Sequence, residues 1–281
     1  MTEAPIAVIT GTTHGIGKVT SHELARAGFA VVMLCRNVSA ATVLASEIMQ
    51  AARGSRVEVV HCDLADLSSV RAAARTVMER FPRIDRLINN AGIVSTRQRF
   101  SVDGQELTFA TNHLGPFLLT RLLLPALAPA ARIINVASKV HYRGKLDLDS
   151  VDDRKARYSS IAAYSRSKLA NVMDTLVLAR QLAGSGVRVN CLHPGVVATN
   201  LLPGWLNLIR PLFKRFILTP ERGARTTLYL ALDERAAALH GQYLDENSQV
   251  QSPAAAARDQ TLQEQLLAHS TRWTGLDQAG T

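Results

Sequence analysis

Short apolar runs alternate with longer helical patterns along most of the chain. The runs Ile6–Thr10, Ala30–Cys35, Val57–Asp63, Leu87–Asn89, Arg132–Ala137, Val187–His193 and Gln242–Leu244 predict strands. Helices are expected near Ile16–Ala27, Ala40–Ala52, Leu67–Arg80, Gln105–Ala126, Ser159–Leu182 and Glu221–Leu232, with a last one near Gln260–Ser270. The strand runs are apolar throughout rather than alternating, as strands covered on both faces must be. Strands that alternate with helices imply βαβ units, so the predicted fold is α/β, a doubly wound parallel sheet with helices on both faces. Ligands bind such a sheet beyond the carboxyl ends of its strands. Candidate chemistry is therefore sought just after each strand.

Composition narrows this picture without changing it. A chain of 281 residues, 47% hydrophobic and free of repeats or low-complexity linkers, reads as one large domain over 1–281. The opening "MTEAPIAVITG" does not read as a signal peptide, because it carries Glu3 and only a short apolar run. No segment reaches the ~18 apolar residues of a membrane span. Cys35, Cys62 and Cys191 end or lie inside β-like runs, which fits buried free thiols in a reducing cytosol rather than disulfides. No His/Cys/acid cluster calls for a metal. The net charge of +9 comes mostly from scattered arginines, with no basic block interleaved with aromatics, so a nucleic-acid surface is unsupported. A positive field does draw in an anionic cofactor.

Such a cofactor has a candidate cradle. "VITGTTHGIGKVT" puts Gly11, Gly15 and Gly17 directly after the first strand and at the mouth of a helix. Glycines let the backbone turn sharply and approach a pyrophosphate, while free N–H groups at the helix start face the anion. The second strand ends "VVMLCRN", with Cys35 where an NAD site usually carries an acid for the ribose hydroxyls, and Arg36 next. A guanidinium grips a 2′-phosphate that a carboxylate would repel, so Arg36 favours NADP(H) over NAD(H). Read alone, it is one of many surface arginines. His14 and Lys18 flank the glycines as further donors. Asp63 suits an adenine amino contact, or equally a helix N-cap.

"AAYSRSKLANV" holds the second constellation. Tyr164 and Lys168 stand four apart and share a helix face. A free phenol, with a pKa of about 10, trades protons poorly at neutral pH. Lowering it by two or three units takes roughly 3–4 kcal/mol, which a neighbouring ammonium in a partly dry site can supply. Ser138 follows the strand "RIINVAS", and Asn112 lies in "FATNHLG", in the helix before that strand. "INNAG" closes the fourth strand, and "LHPGVVAT" ends the sixth, where Pro194 and Gly195 force a loop. Singly, each of these residues is more often structural.

Together they resemble the short-chain dehydrogenase/reductase family, whose form of the glycine turn is G-x-x-x-G-x-G. The resemblance runs over about residues 5 to 275, and "TNHLGPFLLT", "SRSKLANV" and "LHPGVVATNL" are similar to its retinol dehydrogenase-like branch. It implies a Rossmann-type sheet of about seven parallel strands, reversible hydride transfer between NADP(H) and a carbonyl or alcohol, and a homodimer or homotetramer. It also implies a tetrad in which Asn112 anchors a water relay, Ser138 polarises the carbonyl, Tyr164 transfers the proton and Lys168 tunes it. Cofactor contacts would come from Gly11, Thr13, His14, Gly15, Ile16 and Gly17, from Arg36, Asp63 and Leu64, and from Asn90, Ala91 and Gly92. Tyr164, Lys168, Pro194, Gly195, Val197 and Thr199 would complete them. The cradle departs from the branch in showing Thr13-His14 before the second glycine, where Asn-Ser is common. The rival class, a nucleotide-binding scaffold without chemistry, is disfavoured by the complete tetrad.

After Thr199 comes "NLLPGWLNLIRPLFKRFILTP", heavily apolar and broken by Pro211. In the family this segment, about 200–219, covers the substrate pocket. Trp205 and Phe213, with Ser138 and Tyr164, therefore predict a lipophilic aldehyde, ketone or alcohol. Its basic residues allow a second reading, an interfacial element resting on a membrane surface, and a third is plain packing.

Overall fold

The computed structural model describes residues 4–148, 151, 154, 157–197 and 218–277. The strands are β1 (Ile6–Thr10), β2 (Ala30–Cys35), β3 (Val57–His61), β4 (Ile84–Asn89), β5 (Leu127–Val136), β6 (Arg188–Leu192), β7 (Tyr243–Leu244) and β8 (Val250–Gln251). The helices are α1 (Gly15–Arg26), α2 (Val38–Ala51), α3 (Leu67–Arg80), α4 (Leu107–Phe109), α5 (Gly115–Leu123), α6 (Ser160–Gln181), α7 (Pro220–Leu232), α8 (Ala255–Arg258) and α9 (Gln260–Trp273). One sheet runs β3-β2-β1-β4-β5-β6-β7-β8, with the first seven strands parallel and β8 antiparallel on β7.

The uniform apolarity of the strands follows from two separate cores. Val8, Val32, Leu34, Leu87 and Ile133 face α3, α5 and the end of α6. Their neighbours Ala7, Ile9, Val31, Met33 and Ile134 face α1, α2 and α7. Successive side chains leave opposite faces of a strand, so a doubly covered strand has no solvent side to spend on polar residues. The order of connection reverses beside β1, where β2 lies on one side and β4 on the other. That reversal opens a crevice at the carboxyl ends of β1 and β4, the standard ligand position of such sheets.

Several boundaries differ from expectation for local reasons. β5 begins at Leu127 rather than Arg132, because Leu127 pairs with Ile84 across a register shift, and β4 correspondingly starts at Ile84. β3 ends at His61, and Asp63 is not the N-cap of α3. Its carboxylate instead accepts the N–H of Ala65, whereas Asp66 accepts those of Ser68 and Ser69 and caps the helix.

The long helix expected over Gln105–Ala126 is broken into α4, a π-helical turn at Ala110–Leu114, α5 and a short 3₁₀ turn. Pro116 explains the break. It has no N–H to give the carbonyl of Asn112, four residues back, which an unbroken α-helix would bond. Gly115 sits against α3's lead-in, where a Cβ would come within 2.3 Å of the Leu64 carbonyl oxygen. Among the described residues no helix is long and apolar enough to cross a membrane, and no cluster of His, Cys, Asp and Glu has metal-site geometry. The three cysteines are buried and free.

Candidate active site

The glycine turn between β1 and α1 is held from below by β4. Gly11 and Gly15 both take left-handed φ values, 69° and 60°, which disfavour any side chain. A Cβ on Gly17 would lie 2.2 Å from the Gly11 carbonyl oxygen and 2.5 Å from Asn90 Nδ2, so only glycine lets α1 start this close to the turn. Asn90 Nδ2 donates to the carbonyls of Thr10 and Gly11, while Thr10 Oγ1 accepts the N–H groups of Asn90 and Ala91. Thr10 is a scaffold residue that the pattern alone did not single out. The residues before α2, α3, α6, α7 and α9 accept a backbone N–H on their side chains, whereas His14 before α1 does not. The first-turn N–H groups of α1, at the positive end of the helix, therefore face the turn without a side-chain cap. A backbone bared by glycine, with a helix N-terminus behind it, fits a dinucleotide pyrophosphate.

At the end of β2, the Cys35 thiol is buried and lies 2.8 Å from Thr12 Oγ1. Burial pushes its pKa up, against the Thr12 bond, so it stays a neutral thiol. Arg36 is exposed and forms no hydrogen bond or ion pair with a described residue. Lys18, read as a further phosphate donor, is engaged elsewhere by a 3.0 Å ion pair to Glu47 on α2. His14 pairs with Thr13 Oγ1 at 3.0 Å. Leu64 is buried beside Asp63, just after β3.

The four candidate tetrad residues come from three places, the π turn, the end of β5 and α6, which carries two of them. Ser138 follows β5 and opens a 3₁₀ turn over Lys139–Arg143. Tyr164 and Lys168 lie one turn apart near the start of α6, whose N-cap Ser159 accepts the Ala162 N–H. Lys168 is buried, and its Nζ donates to the Val136 carbonyl at 2.8 Å while lying 5.7 Å from the centre of the Tyr164 ring. Desolvation lowers its pKa to about 8. Burial pushes the Tyr164 phenol up, and a hydrogen bond to the Ser138 side chain opposes that. Ser138 thus favours the phenolate in this arrangement, while the Lys168 ammonium stands beside the ring and is bonded to Val136.

Asn112 sits in the π turn and is clamped twice by one residue. Its Oδ1 accepts the Ile93 N–H at 2.7 Å, its Nδ2 donates to the Ile93 carbonyl at 3.0 Å, and Nδ2 also reaches Ser167 Oγ at 3.0 Å. π turns recur at functional sites, and here the widened turn presents Asn112 to the loop after β4 and to α6. Gly92 sits over the pair: a Cβ there would lie 3.4 Å from Lys168 Nζ and 3.5 Å from Asn112 Oδ1. After β6, His193 Nδ1 accepts the Gly195 N–H and its Nε2 lies 3.2 Å from Glu246, which shapes the Pro194–Gly195 loop. Val197 closes that loop by bridging to Leu218. Thr199, Trp205 and Phe213, with most of the segment 200–219, lie outside the described residues.

The chain belongs to the short-chain dehydrogenase family. The family model, "short chain dehydrogenase", matches residues 5–206. Members are NAD(P)H-binding oxidoreductases, and this chain falls in their retinol dehydrogenase-like branch. It is 40% identical to human retinol dehydrogenase 13 over 280 residues, 96% of this chain and 84% of that protein. Among solved structures it is similar to an uncharacterised protein from Mycobacterium paratuberculosis, with a TM-score of 0.80, 35% identity, and coverage of 97% of this chain and 96% of that one. It is also similar to L-sorbose reductase from Gluconobacter frateurii, complexed with NADPH and L-sorbose, with a TM-score of 0.69, 25% identity, and coverage of 86% and 95%.

Proposed function

We propose that the protein reversibly transfers a hydride between NADP(H) and a lipophilic aldehyde, ketone or alcohol, with Asn112, Ser138, Tyr164 and Lys168 as its tetrad. The observation that carries this reading is the pairing of Ser138 with Tyr164 beside a buried Lys168 whose pKa is about 8. When bound, the nicotinamide supplies or accepts the hydride. The Ser138 hydroxyl donates to the carbonyl oxygen, and the Tyr164 hydroxyl delivers the proton that oxygen needs in reduction, or takes it back in oxidation. Lys168, with a pKa close to working pH, resupplies that proton, and the doubly held Asn112 keeps its end of the relay in register. Gly11, Gly15 and Gly17 with the start of α1 would hold the pyrophosphate, and Arg36 the 2′-phosphate.

NADP(H) is supported by the uncommitted Arg36, by the neutral thiol at Cys35, and by the NADPH held by the sorbose reductase. A lipophilic substrate is supported by apolar side chains left exposed at the same sheet edge: Tyr142 after Ser138, Ile161 one turn before Tyr164, and Val196 in the loop after β6. The name of the retinol dehydrogenase relative points the same way. The test is NADPH oxidation with a panel of short and long aldehydes, including retinal. Tyr164→Phe should cost ~10²–10⁴-fold in turnover with NADPH binding retained. A variant that keeps more than a few per cent of turnover refutes the tetrad, and a wild type inert across the panel refutes the activity.

A further inference from the structure

His141 lies three residues beyond Ser138 and is fully buried. Both of its ring nitrogens are committed to backbone groups. Nδ1 lies 2.8 Å from the Ser138 carbonyl, which can only accept, so Nδ1 carries the proton. Nε2 lies 3.2 Å from the backbone N of Ala254, which can only donate, so Nε2 carries a lone pair. The neutral Nδ1–H tautomer is thereby fixed from both sides. The ring cannot swing, because Tyr142 and Tyr243 pack on it with centroids 4.1 and 4.6 Å away. The Ser138 carbonyl also accepts the His141 backbone N–H at 3.1 Å, so one residue grips that peptide twice. The Ser138 side chain, by contrast, has among the described residues only a long 3.4 Å bond from the Val140 N–H besides its contact with Tyr164. His141 therefore holds the peptide that carries the serine, and with it the Cα–Cβ bond from which the hydroxyl reaches Tyr164.

Resting on the tetrad proposed above, we infer that His141 is a positioning residue that aims the Ser138 hydroxyl at Tyr164, with the segment around Ala254 as its backstop. It touches neither substrate nor cofactor in this role. The inference gives the C-terminal part of the chain a part in the chemistry, because Ala254 lies beyond the stretch that the family model matches. Two conservative variants separate aiming from mere packing. An asparagine at 141 places its amide where Nδ1 stood and keeps a donor to Ser138, while a glutamine reaches Ala254 and gives up Ser138.

The experiment measures kcat, the KM for NADPH, thermal unfolding, and the ultraviolet titration of Tyr164, read as the difference between each protein and its Tyr164→Phe counterpart. His141→Gln should lower kcat between about tenfold and 10²-fold with the KM for NADPH unchanged, the cost of a misaimed group near the reacting centre. It should also move the Tyr164 ionisation to higher pH, because the Ser138 bond that favours the phenolate is lost. His141→Asn should keep most of kcat and the wild-type titration even where it unfolds earlier. Equal losses in the two variants, or a His141→Gln titration that overlays the wild type, overturn the inference. Turnover that survives Tyr164→Phe overturns the proposed function instead, and the phenol titration, which needs no turnover, still decides the role of His141.

Discussion

Acidification should unfold this protein partly through one histidine next to the site. His113 follows Asn112 in the π turn and is 1% exposed. It packs between Phe109 and Phe117, with ring centroids 5.0 and 5.8 Å away, and its Nε2 lies 2.9 Å from Ser270 Oγ on α9. Burial drives its pKa from an ordinary 6.5 to about 4, outweighing the attraction of Asp174. The unfolded chain takes up a proton near 6.5, whereas the folded one does not until about 4. Stability from neutral His113 is therefore complete above the upper value, falls away between the two, and is exhausted below the lower.

At ~1.36 kcal/mol per pKa unit, that gap from 6.5 to about 4 amounts to roughly 3 kcal/mol in all, of which roughly 2 kcal/mol falls between about pH 7.5 and about pH 5. The assay is urea unfolding at those two pH values for the wild type and for His113→Gln, whose amide reaches toward Ser270 but binds no proton. On acidification the wild type should lose roughly 2 kcal/mol more than the variant. His22, His141 and His193, whose pKa values are also lowered, are present in both proteins and cancel. Equal losses in the two proteins would refute the account of His113 as a buried neutral group.

Arg36→Ala should lower the ratio of kcat/KM with NADPH to that with NADH by about tenfold to hundredfold, since a charge-assisted hydrogen bond to phosphate is worth about 1.5–3 kcal/mol. An unchanged ratio, or a wild type that prefers NADH, would put the 2′-phosphate elsewhere. Gly17→Ala places a methyl group 2.2 Å from the Gly11 carbonyl oxygen, so NADPH binding followed by fluorescence should weaken at least about tenfold. Wild-type affinity in that variant would show that the turn does not hold the pyrophosphate.

The readable part of this molecule is the part that local rules govern. The glycine spacing, the four-residue step from Tyr164 to Lys168, and the serine at the end of a strand each follow from a short stretch and its secondary structure. Most strand runs are clear because a doubly covered strand has one signature. Long-range pairing set what was missed. β5 lengthens because Leu127 finds Ile84, and two-residue β8 exists only because β7 lies beside it. The π turn had a local sign in Pro116, but the clamp of Ile93 on Asn112 spans a fold contact that no periodicity carries. The partners of His113 and His141 lie 157 and 113 residues away, so neither histidine announced its role. Asp63 was a near miss: two aspartates three apart both precede α3, and only the second stands where a cap must be.

Val197 and Leu218 pair as a single parallel bridge, and the Leu218 N–H reaches the Val196 carbonyl at 2.7 Å. Both residues pack with Ile16 of α1 and Ala224 of α7. The two flanks, at 197 and 218, are therefore stapled together at one point, anchored to the same helix that backs the glycine turn. With two ends fixed so close, doubling the length of a loop between them costs only ~0.6 kcal/mol in closure. A change in the number of residues between 197 and 218 should thus leave β6, the cradle and the tyrosine helix untouched.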